Sequence, residues 1–336
     1  MKPLSEYKPF LSVLIPVLNE EGYIGECLDS LQKQDYPSQR YEVIVIDGGS
    51  TDRTWDIAKQ KGSEFENFHL LSNPKKIQAA ALNIGLNACK GRFIVRLDGH
   101  TLADSAYLSK ACETILTTCA DHVGGIFMST GIGFWGQVIA RAVSTPIGVG
   151  NSQHRCNATS GWDDVGALGI YRVETLKKVG GFDEAFSSCE DCELDYRIKK
   201  NGGRVYRNGN IRFTYFARNS LKSLAKQYYR YGRLKVLLMR KLKQVPKLRH
   251  VIPLGFLLFL GLLIVGGMWL QSLWLVLAIV LVIYFSAVLG ASFIELKQLK
   301  VSSLAAMMLS IATLHFSYGT GSFMGIIDSL LRPKMS

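Results

Sequence analysis

The stretch "FIVRLDGHT" (93–101) begins as an apolar strand and ends on a carboxylate and an imidazole, Asp98 and His100, separated by one glycine. Both side chains can ligate a divalent cation. In a parallel sheet covered by helices, ligands bind beyond the carboxyl ends of the strands, which is where this pair stands. The pattern predicts a metal-assisted site at a sheet edge, provided the flanking sequence builds such a sheet.

Working outward from that point, apolar runs lie at 11–17 (LSVLIPV), 41–46 (YEVIVI) and 68–71 (FHLL), separated by helical stretches after Asn19, after "DGGSTD" and across 77–88. Strand–helix repetition predicts an α/β fold with a mostly parallel sheet between helices. Val43 to Ile46 are apolar at successive positions, as expected of a strand buried on both faces. Polar residues gather at the strand ends: Asn19 and Glu20 after the first, Asp47 after the second, Asp98 and His100 after the fourth. One cleft is therefore predicted. In "DGGSTDRT" (47–54) two glycines allow a tight turn, and Ser50 or Thr51 can cap the helix that follows. Beyond about residue 120 the regularity gives way to Gly-rich segments, ahead of a helix near "CEDCELDYRIKKNGG". This second half is expected to face an acceptor.

The chain has 336 residues, room for about two domains. Residues 251–294 contain no Asp, Glu, Lys or Arg, and a second charge-free run covers 301–327. At about 20 residues per bilayer crossing, these runs predict three spans (251–270, 273–294 and 303–327) of a multi-pass protein in the inner or plasma membrane. The net charge of +12 is local, because residues 218–249 carry eleven Lys/Arg and no acid. Directly before the first apolar run, that charge fits the positive-inside rule and anionic lipid, and argues against nucleic acid as a partner. Apolar positions at helical spacing among these basic residues predict an amphipathic helix lying on the bilayer. The expected domains are a catalytic part (1–217), a basic interfacial segment (218–250) and a membrane region (251–330). "MKPLSEYKPF" has no signal-like apolar core, so residues 1–250 are expected in the cytosol and the seven cysteines as free thiols. Arg332 and Lys334 would then fall on the outer side, against the charge bias.

Five segments occur in a telling order: "SVLIPVLNEEGYIGECLDSL" (12–31), "EVIVIDGGSTDRT" (42–54), "AAALNIGLNACKGRFIVRLDGHT" (79–101), "GGFDEAFSSCEDCELDYRIKKNGG" (180–203) and "QYYRYGR" (227–233). In this set, across about 11–235, the chain resembles the family 2 glycosyltransferases of the GT-A fold, the Rossmann-like architecture of nucleotide-diphospho-sugar transferases. The Asp-x-His motif and the C-terminal apolar region look most like the ExoA-like type of bacterial exopolysaccharide assembly. The resemblance implies an inverting enzyme that moves one sugar from a nucleotide-diphosphate sugar, a UDP-sugar first among them, to a polyprenyl-(di)phosphate-linked saccharide. A processive polysaccharide synthase and a polyprenyl-phosphate glycosyltransferase are the neighbouring alternatives. The implied cofactor is Mn²⁺ in preference to Mg²⁺, because an imidazole stands where the family usually has a second Asp.

Carried over by position, the resemblance matches Asp47 to the acid that contacts the nucleobase, with Pro16, Asn19 and Glu20 lining the same pocket, and Asp98 and His100 to the cation site. Lys75, Lys76 and Asn83 are candidates near the diphosphate. Asp191 matches the base and Glu190 its companion; an inverting transfer needs a group to take the proton from the acceptor hydroxyl. Glu193 and Asp195 read as a solvated acidic helix start favoured by the helix dipole. Arg197 is either a steering cation or a surface ion pair. Trp162 and Asp164 are assigned to the acceptor side. Gln227, Arg230 and Tyr231 match a QxxRW segment with tyrosine in place of tryptophan. His315, inside a membrane-length run, is expected to meet a lipid head group or a helix partner, or else simply to bond a neighbouring backbone carbonyl.

Overall fold

The computed structural model describes residues 8–150, 152–156, 159–186, 189–295 and 301–331; Arg332 and Lys334, with their topological conflict, lie outside these. The chain divides into two compact units, one of 1–128 and 157–215, the other of 129–156 and 216–336. Residues 129–156, placed with the catalytic part by sequence, therefore fold with the C-terminal helices.

In the first unit, β1 (Leu11–Val17), β2 (Tyr41–Asp47), β3 (Phe68–Ser72) and β4 (Phe93–Arg96) alternate with α1 (Ile24–Gln32), α2 (Thr54–Gly62) and α3 (Gln78–Ala88). These four strands are parallel, with Val17 beside Asp47 and Leu14 beside Arg96. The later elements are β5 (Thr101–Ala103), α4 (Tyr107–Thr118), β6 (His122–Thr130), β7 (Gly161–Trp162), β8 (Gly169–Arg172), α8 (Val173–Lys178), α9 (Glu190–Lys200) and β9 (Val205–Phe216). The strand order is β3-β2-β1-β4-β8-β6-β9-β5, with β7 on β9. Strand–helix repetition stops at β4, and from there β8 pairs antiparallel with β4 and β6, as β5 and β7 do with β9. The α/β class stands, but the sheet is mixed where a mostly parallel one was expected.

Every residue of β1 and β2 is buried. One face of the sheet packs Val13 and Ile15 against Leu28 of α1 and Leu108 of α4; the other packs Leu14 and Ile44 against Leu82 of α3 and Leu194 of α9. Each such side chain, fully removed from water, contributes about 1.5–3 kcal/mol. The two faces explain the unbroken apolar runs, and they bring the carboxyl ends of β1, β2 and β4 to one edge. β9 instead alternates buried and more open positions along its length, the period-two pattern of a strand with one wetter face.

The second unit holds α5 (Gly133–Ala142), α6 (Pro146–Val149), α7 (Gln153–Cys156), α10 (Leu221–Leu242), α11 (Leu248–Gly267), α12 (Ser272–Glu295) and α13 (Leu304–Leu331). Among the described residues two helices, α11 and α12, are long and apolar enough to cross a membrane, and both are almost bare. This corrects the three-span expectation. The third run, α13, spends its surface on α10 instead: Gly232 lies against Tyr318 O and Ser322, and a Cβ on Gly321 would stand 2.0 Å from Tyr229 O. Arg233 Nε donates to Asp328 at 2.5 Å across the same pair. Leu224, Tyr228 and Leu238 of α10 are buried, so the apolar face predicted to lie on lipid is covered by a helix. His315 likewise finds protein partners, donating from Nε2 to Ile147 O at 2.6 Å and accepting at Nδ1 from Tyr284 Oη at 3.0 Å.

Candidate active site

The loops after β1 and β2 are laced together. Asp47, 4% exposed, accepts from the amides of Gly49 and Ser50 at 2.9 and 3.0 Å through Oδ2, and from Ser50 Oγ at 2.5 Å through Oδ1. Ser50 Oγ in turn accepts from the Asn19 amide at 2.9 Å, and Asn19 Oδ1 from the Thr51 amide at 2.8 Å. The Glu20 amide donates to Thr54 Oγ1 at 2.7 Å. Asn19 and Lys76 sit at φ 55° and 58°, a strained setting for side chains other than glycine that concentrates at functional loops. Lys76 is exposed and its chain lies over the turn at Gly49, with Cε 3.5 Å from where a Cβ there would be. Pro16, in β1, stands beside Ile46.

Past the end of β4, Asp98 Oδ1 accepts from Gln78 Nε2 at 2.9 Å and from Arg96 Nη2 at 3.3 Å. The same Nη2 donates to Glu190 Oε1 at 2.8 Å. Arg96 and Glu190 keep only 5% side-chain exposure each, Asp98 18%. A single buried guanidinium therefore ties the strand end carrying the Asp-x-His motif to the start of α9. Burial works against the charge on Arg96, but Asp98 and then Glu190 outweigh it and hold the guanidinium protonated. Burial pushes the Glu190 carboxyl up, with Arg96 opposing and Asp191 adding to the rise. Asp191 follows on the same first turn, with Oδ1 2.7 Å from the Cys192 amide.

His100 Nδ1 lies 2.9 Å from Glu20 Oε1, the carboxylate–imidazole contact that orients a metal-ligating histidine through its other nitrogen. The glycine between Asp98 and His100 sits close against β1: a Cβ at Gly99 would stand 2.8 Å from Val17 Cγ1, so a larger residue would have to displace that side chain. Among the described residues no three His, Cys, Asp or Glu side chains cluster as a metal site. The pair expected from the sequence, Asp98 and His100, would provide two protein donors, one oxygen and one nitrogen. That set suits a borderline divalent ion that takes its remaining ligands from elsewhere.

Asn83 turns away to a supporting task, donating from Nδ2 to Phe182 O at 2.8 Å and accepting at Oδ1 from the Phe182 amide at 2.8 Å. It thus ties down the loop leading into α9. Lys75 pairs with Glu184 of that loop at 2.6 Å. Trp162 is 54% exposed, with Tyr206 edge-on at 5.2 Å and the Arg204 guanidinium 4.8 Å from its ring. Asp164 pairs with Lys199. Gln227, Arg230 and Tyr231 lie on α10 in the second unit; Gln227 is buried and its Nε2 donates to Tyr231 Oη at 3.0 Å.

Two expectations for α9 fail. Glu193 and Asp195 are 1% and 0% exposed, not solvated. Glu193 grips Arg197, whose other nitrogens donate to Val179 O and Gly181 O, so Arg197 staples α9 to the preceding loop. Asp195 Oδ1 lies 2.6 Å from Nδ1 of fully buried His122, and its Oδ2 accepts from the Gly166 amide at 2.8 Å. The His122 ring stacks on Tyr171 with centroids 3.8 Å apart. Sequence reasoning missed Arg96, Gln78 and His122. Arg96 carried a usable signal: an arginine inside a strand buried on both faces has to meet a carboxylate.

The Glycosyl transferase family 2 pattern matches residues 12–180. The chain is 34% identical to the succinoglycan biosynthesis protein ExoA of Rhizobium meliloti (strain 1021) over 245 residues, 72% of this chain and 74% of that one. It is 32% identical over 268 residues, 77% of this chain and 82% of the other, to a dolichyl N-acetyl-α-D-glucosaminyl phosphate 3-β-D-2,3-diacetamido-2,3-dideoxy-β-D-glucuronosyltransferase of Methanococcus voltae. Among solved structures, the mannosyltransferase PcManGT from Pyrobaculum calidifontis, in complex with GDP-Man and Mn²⁺, aligns with a TM-score of 0.58 at 18% identity, covering 98% of this chain and 88% of that one. S. aureus TarS 1-349 in complex with UDP aligns with a TM-score of 0.51 at 19% identity, covering 97% and 92%. At such identities the likeness speaks for the fold alone, and that fold is GT-A-like. The chain therefore belongs to glycosyl transferase family 2 and is a glycosyltransferase.

Proposed function

We propose that this glycosyltransferase moves one sugar, with inversion, from a nucleotide-diphosphate donor to a saccharide carried on a polyprenyl (di)phosphate at a membrane surface. The observation that carries the proposal is the Asp98–Arg96–Glu190 chain. It holds the donor-side strand end and the acid pair of α9 in one buried ion network, so the two halves of a transfer reaction share a single rigid support. Donor and acceptor both have relatives that speak for them: the name of the Methanococcus protein describes a sugar on dolichyl phosphate, and the two solved relatives were captured with GDP-Man and with UDP.

In this reading the laced loops carrying Asn19, Asp47 and Ser50, with Pro16 behind them, form the wall for the nucleoside, and Lys76 meets the diphosphate. Asp98 and His100, the latter oriented by Glu20, would hold a divalent ion, Mn²⁺ before Mg²⁺. A bound cation would neutralise charge growing on the departing diphosphate. Asp191 takes the proton from the acceptor hydroxyl as its oxygen bonds to the anomeric carbon and the bond to the diphosphate breaks. Glu190, pinned by Arg96, fixes the turn that presents Asp191. Trp162 and Asp164 meet acceptor sugars, and Gln227, Arg230 and Tyr231 serve the acceptor from α10. The hairpin of α11 and α12 anchors the enzyme, with the basic segment 218–250 on the cytosolic leaflet and the catalytic part on that side.

The test is a panel of UDP-, GDP- and dTDP-sugars assayed for nucleotide release with Mn²⁺, with and without polyprenyl-linked saccharide. Release that requires one donor class, rises with lipid acceptor and stops with chelator is expected. Donor binding with no turnover under any acceptor would show a sugar-nucleotide-binding protein instead.

A further inference from the structure

A groove of about 610 Å³ runs between α4 and the outer face of β9, lined by Asp104, Lys110, Glu113, Thr117, Asn210 and Arg212 among others. None of these residues belongs to the cleft described above. We propose that this groove binds the sugars of the acceptor glycan that lie beyond the one that reacts. The proposal rests on the sugar-transfer reading and names where the rest of the acceptor lies.

The chemistry of the lining selects the ligand class. Two acids, Asp104 and Glu113, offset two cations, Lys110 and Arg212, so the groove has no net charge with which to recruit a phosphate or a nucleic acid. What remains is the amide of Asn210 and the hydroxyl oxygens of Thr114, Thr117 and Thr118, whose protons go to backbone carbonyls of α4; these acceptors, beside the donors of Asn210, Lys110 and Arg212, match the hydroxyls of a neutral polyol. Its floor is fixed, since Asn208 Nδ2 donates to Thr114 Oγ1 at 2.7 Å. At one end Tyr206 lines the groove and stands against exposed Trp162. Such an exposed aromatic, amphipathic and rigid, suits the apolar face of a sugar ring. It is preorganised: β7 pairs with β9, Arg207 donates to Thr159 O and pairs with Asp163, and the Gly209 amide donates to Ser160 Oγ at 2.9 Å. Rigidity of this kind lowers the ordering cost of binding.

Position supports the same occupant. β5 leads directly from His100 to Asp104, so at about 3.3 Å per residue the near end of the groove lies about 13 Å along the strand from the proposed cation site. A glycan whose end reacts beside Asp98 and which runs along β9 meets the near end of the groove first, and only a chain several sugars longer reaches Trp162, which pairs with Tyr206, nine positions along β9 from the partner of Thr101.

The experiment is saturation-transfer NMR on the full chain in detergent micelles, without donor or metal. The probes are soluble β-linked tetrasaccharides of glucose, galactose and N-acetylglucosamine, with inorganic phosphate as the charged comparison. At least one tetrasaccharide is expected to bind and phosphate is not. Asn210→Ala and Arg212→Ala, both at exposed positions, should each weaken binding by about tenfold. Two variants guard against one misfolded sample. If the wild-type chain binds no tetrasaccharide while still transferring sugar to a lipid-linked acceptor, the groove proposal is overturned and the transfer reading stands. Binding that survives both substitutions also overturns it. Tetrasaccharide binding by a chain that turns over no nucleotide sugar would instead sink the transfer reading and leave the groove supported.

Discussion

The loop after β2 and the strand end after β4 each set a carboxylate at the same sheet edge, yet they hold it by opposite means. Asp47 is satisfied by residues two and three positions away, and the loop it closes is laced to a single neighbouring segment, Asn19 to Glu21. Asp98 is held by Gln78 and by Arg96, whose second carboxylate comes from Glu190, ninety-four positions along the chain from Arg96. The first arrangement forms wherever the local turn forms. The second exists only when β4 and α9 have packed together, and it leaves a guanidinium and a carboxylate buried, where losing one partner is costly. The difference teaches that the proposed pocket wall and the proposed reaction centre should fail separately.

The sharpest way to break that comparison is at the proposed base. Asp191→Asn should leave donor binding intact while transfer falls by about 10²–10⁴-fold, measured as product formation at saturating donor; a variant that transfers normally refutes the assignment. Arg96→Met strikes the long-range arrangement itself. It should cost about 3–5 kcal/mol of stability, read from denaturant midpoints, and a cost below 1 kcal/mol would mean that the buried network does not carry α9. Glu20→Gln spares every backbone bond of the loops but removes the orienting carboxylate from His100. Apparent Mn²⁺ affinity should drop by about 10–100-fold by titration of activity, and an unchanged affinity would take His100 out of the metal site.

A pH experiment separates the two regions further. Burial raises the Glu190 carboxyl despite Arg96, so the folded state holds this proton more tightly than the unfolded chain does. Its contribution is therefore fully present below the unfolded value of about 4.3 and is lost as pH rises through the raised folded value. Melting temperatures of Glu190→Gln relative to wild type should shift in favour of the variant as pH climbs from about 4; a pH-independent difference contradicts the burial argument. The smallest effect belongs to the local loop: Ser50→Ala should cost about 0.5–1.5 kcal/mol and raise the donor KM without changing the response to Mn²⁺.

Legibility followed the same division. β1 to β4, the turn at 47–54 and the helix at 190–200 were readable, because apolar runs, glycines and caps act over a few residues. The fate of α9's acids was not: Glu193 and Asp195 look like a solvated helix start, and only packing against Arg197 and His122 reveals them as buried. The C-terminal helices show the limit most plainly. Composition separates α11 and α12 as bare apolar helices, but nothing in the apolar run at 303–327 announces that its glycines serve close contact with α10 rather than a third crossing.

The amino-acid sequence by itself determined the family, the strand–helix core, and which strand ends carry polar groups, since each depends on periodicity and turn chemistry within a short window. Only the tertiary structure decided that Arg96 joins Asp98 to Glu190, that Glu20 orients His100, and that α13 packs onto α10. Those pairings depend on which distant surfaces meet, and a buried charge shows its partner only after the chain has closed around it.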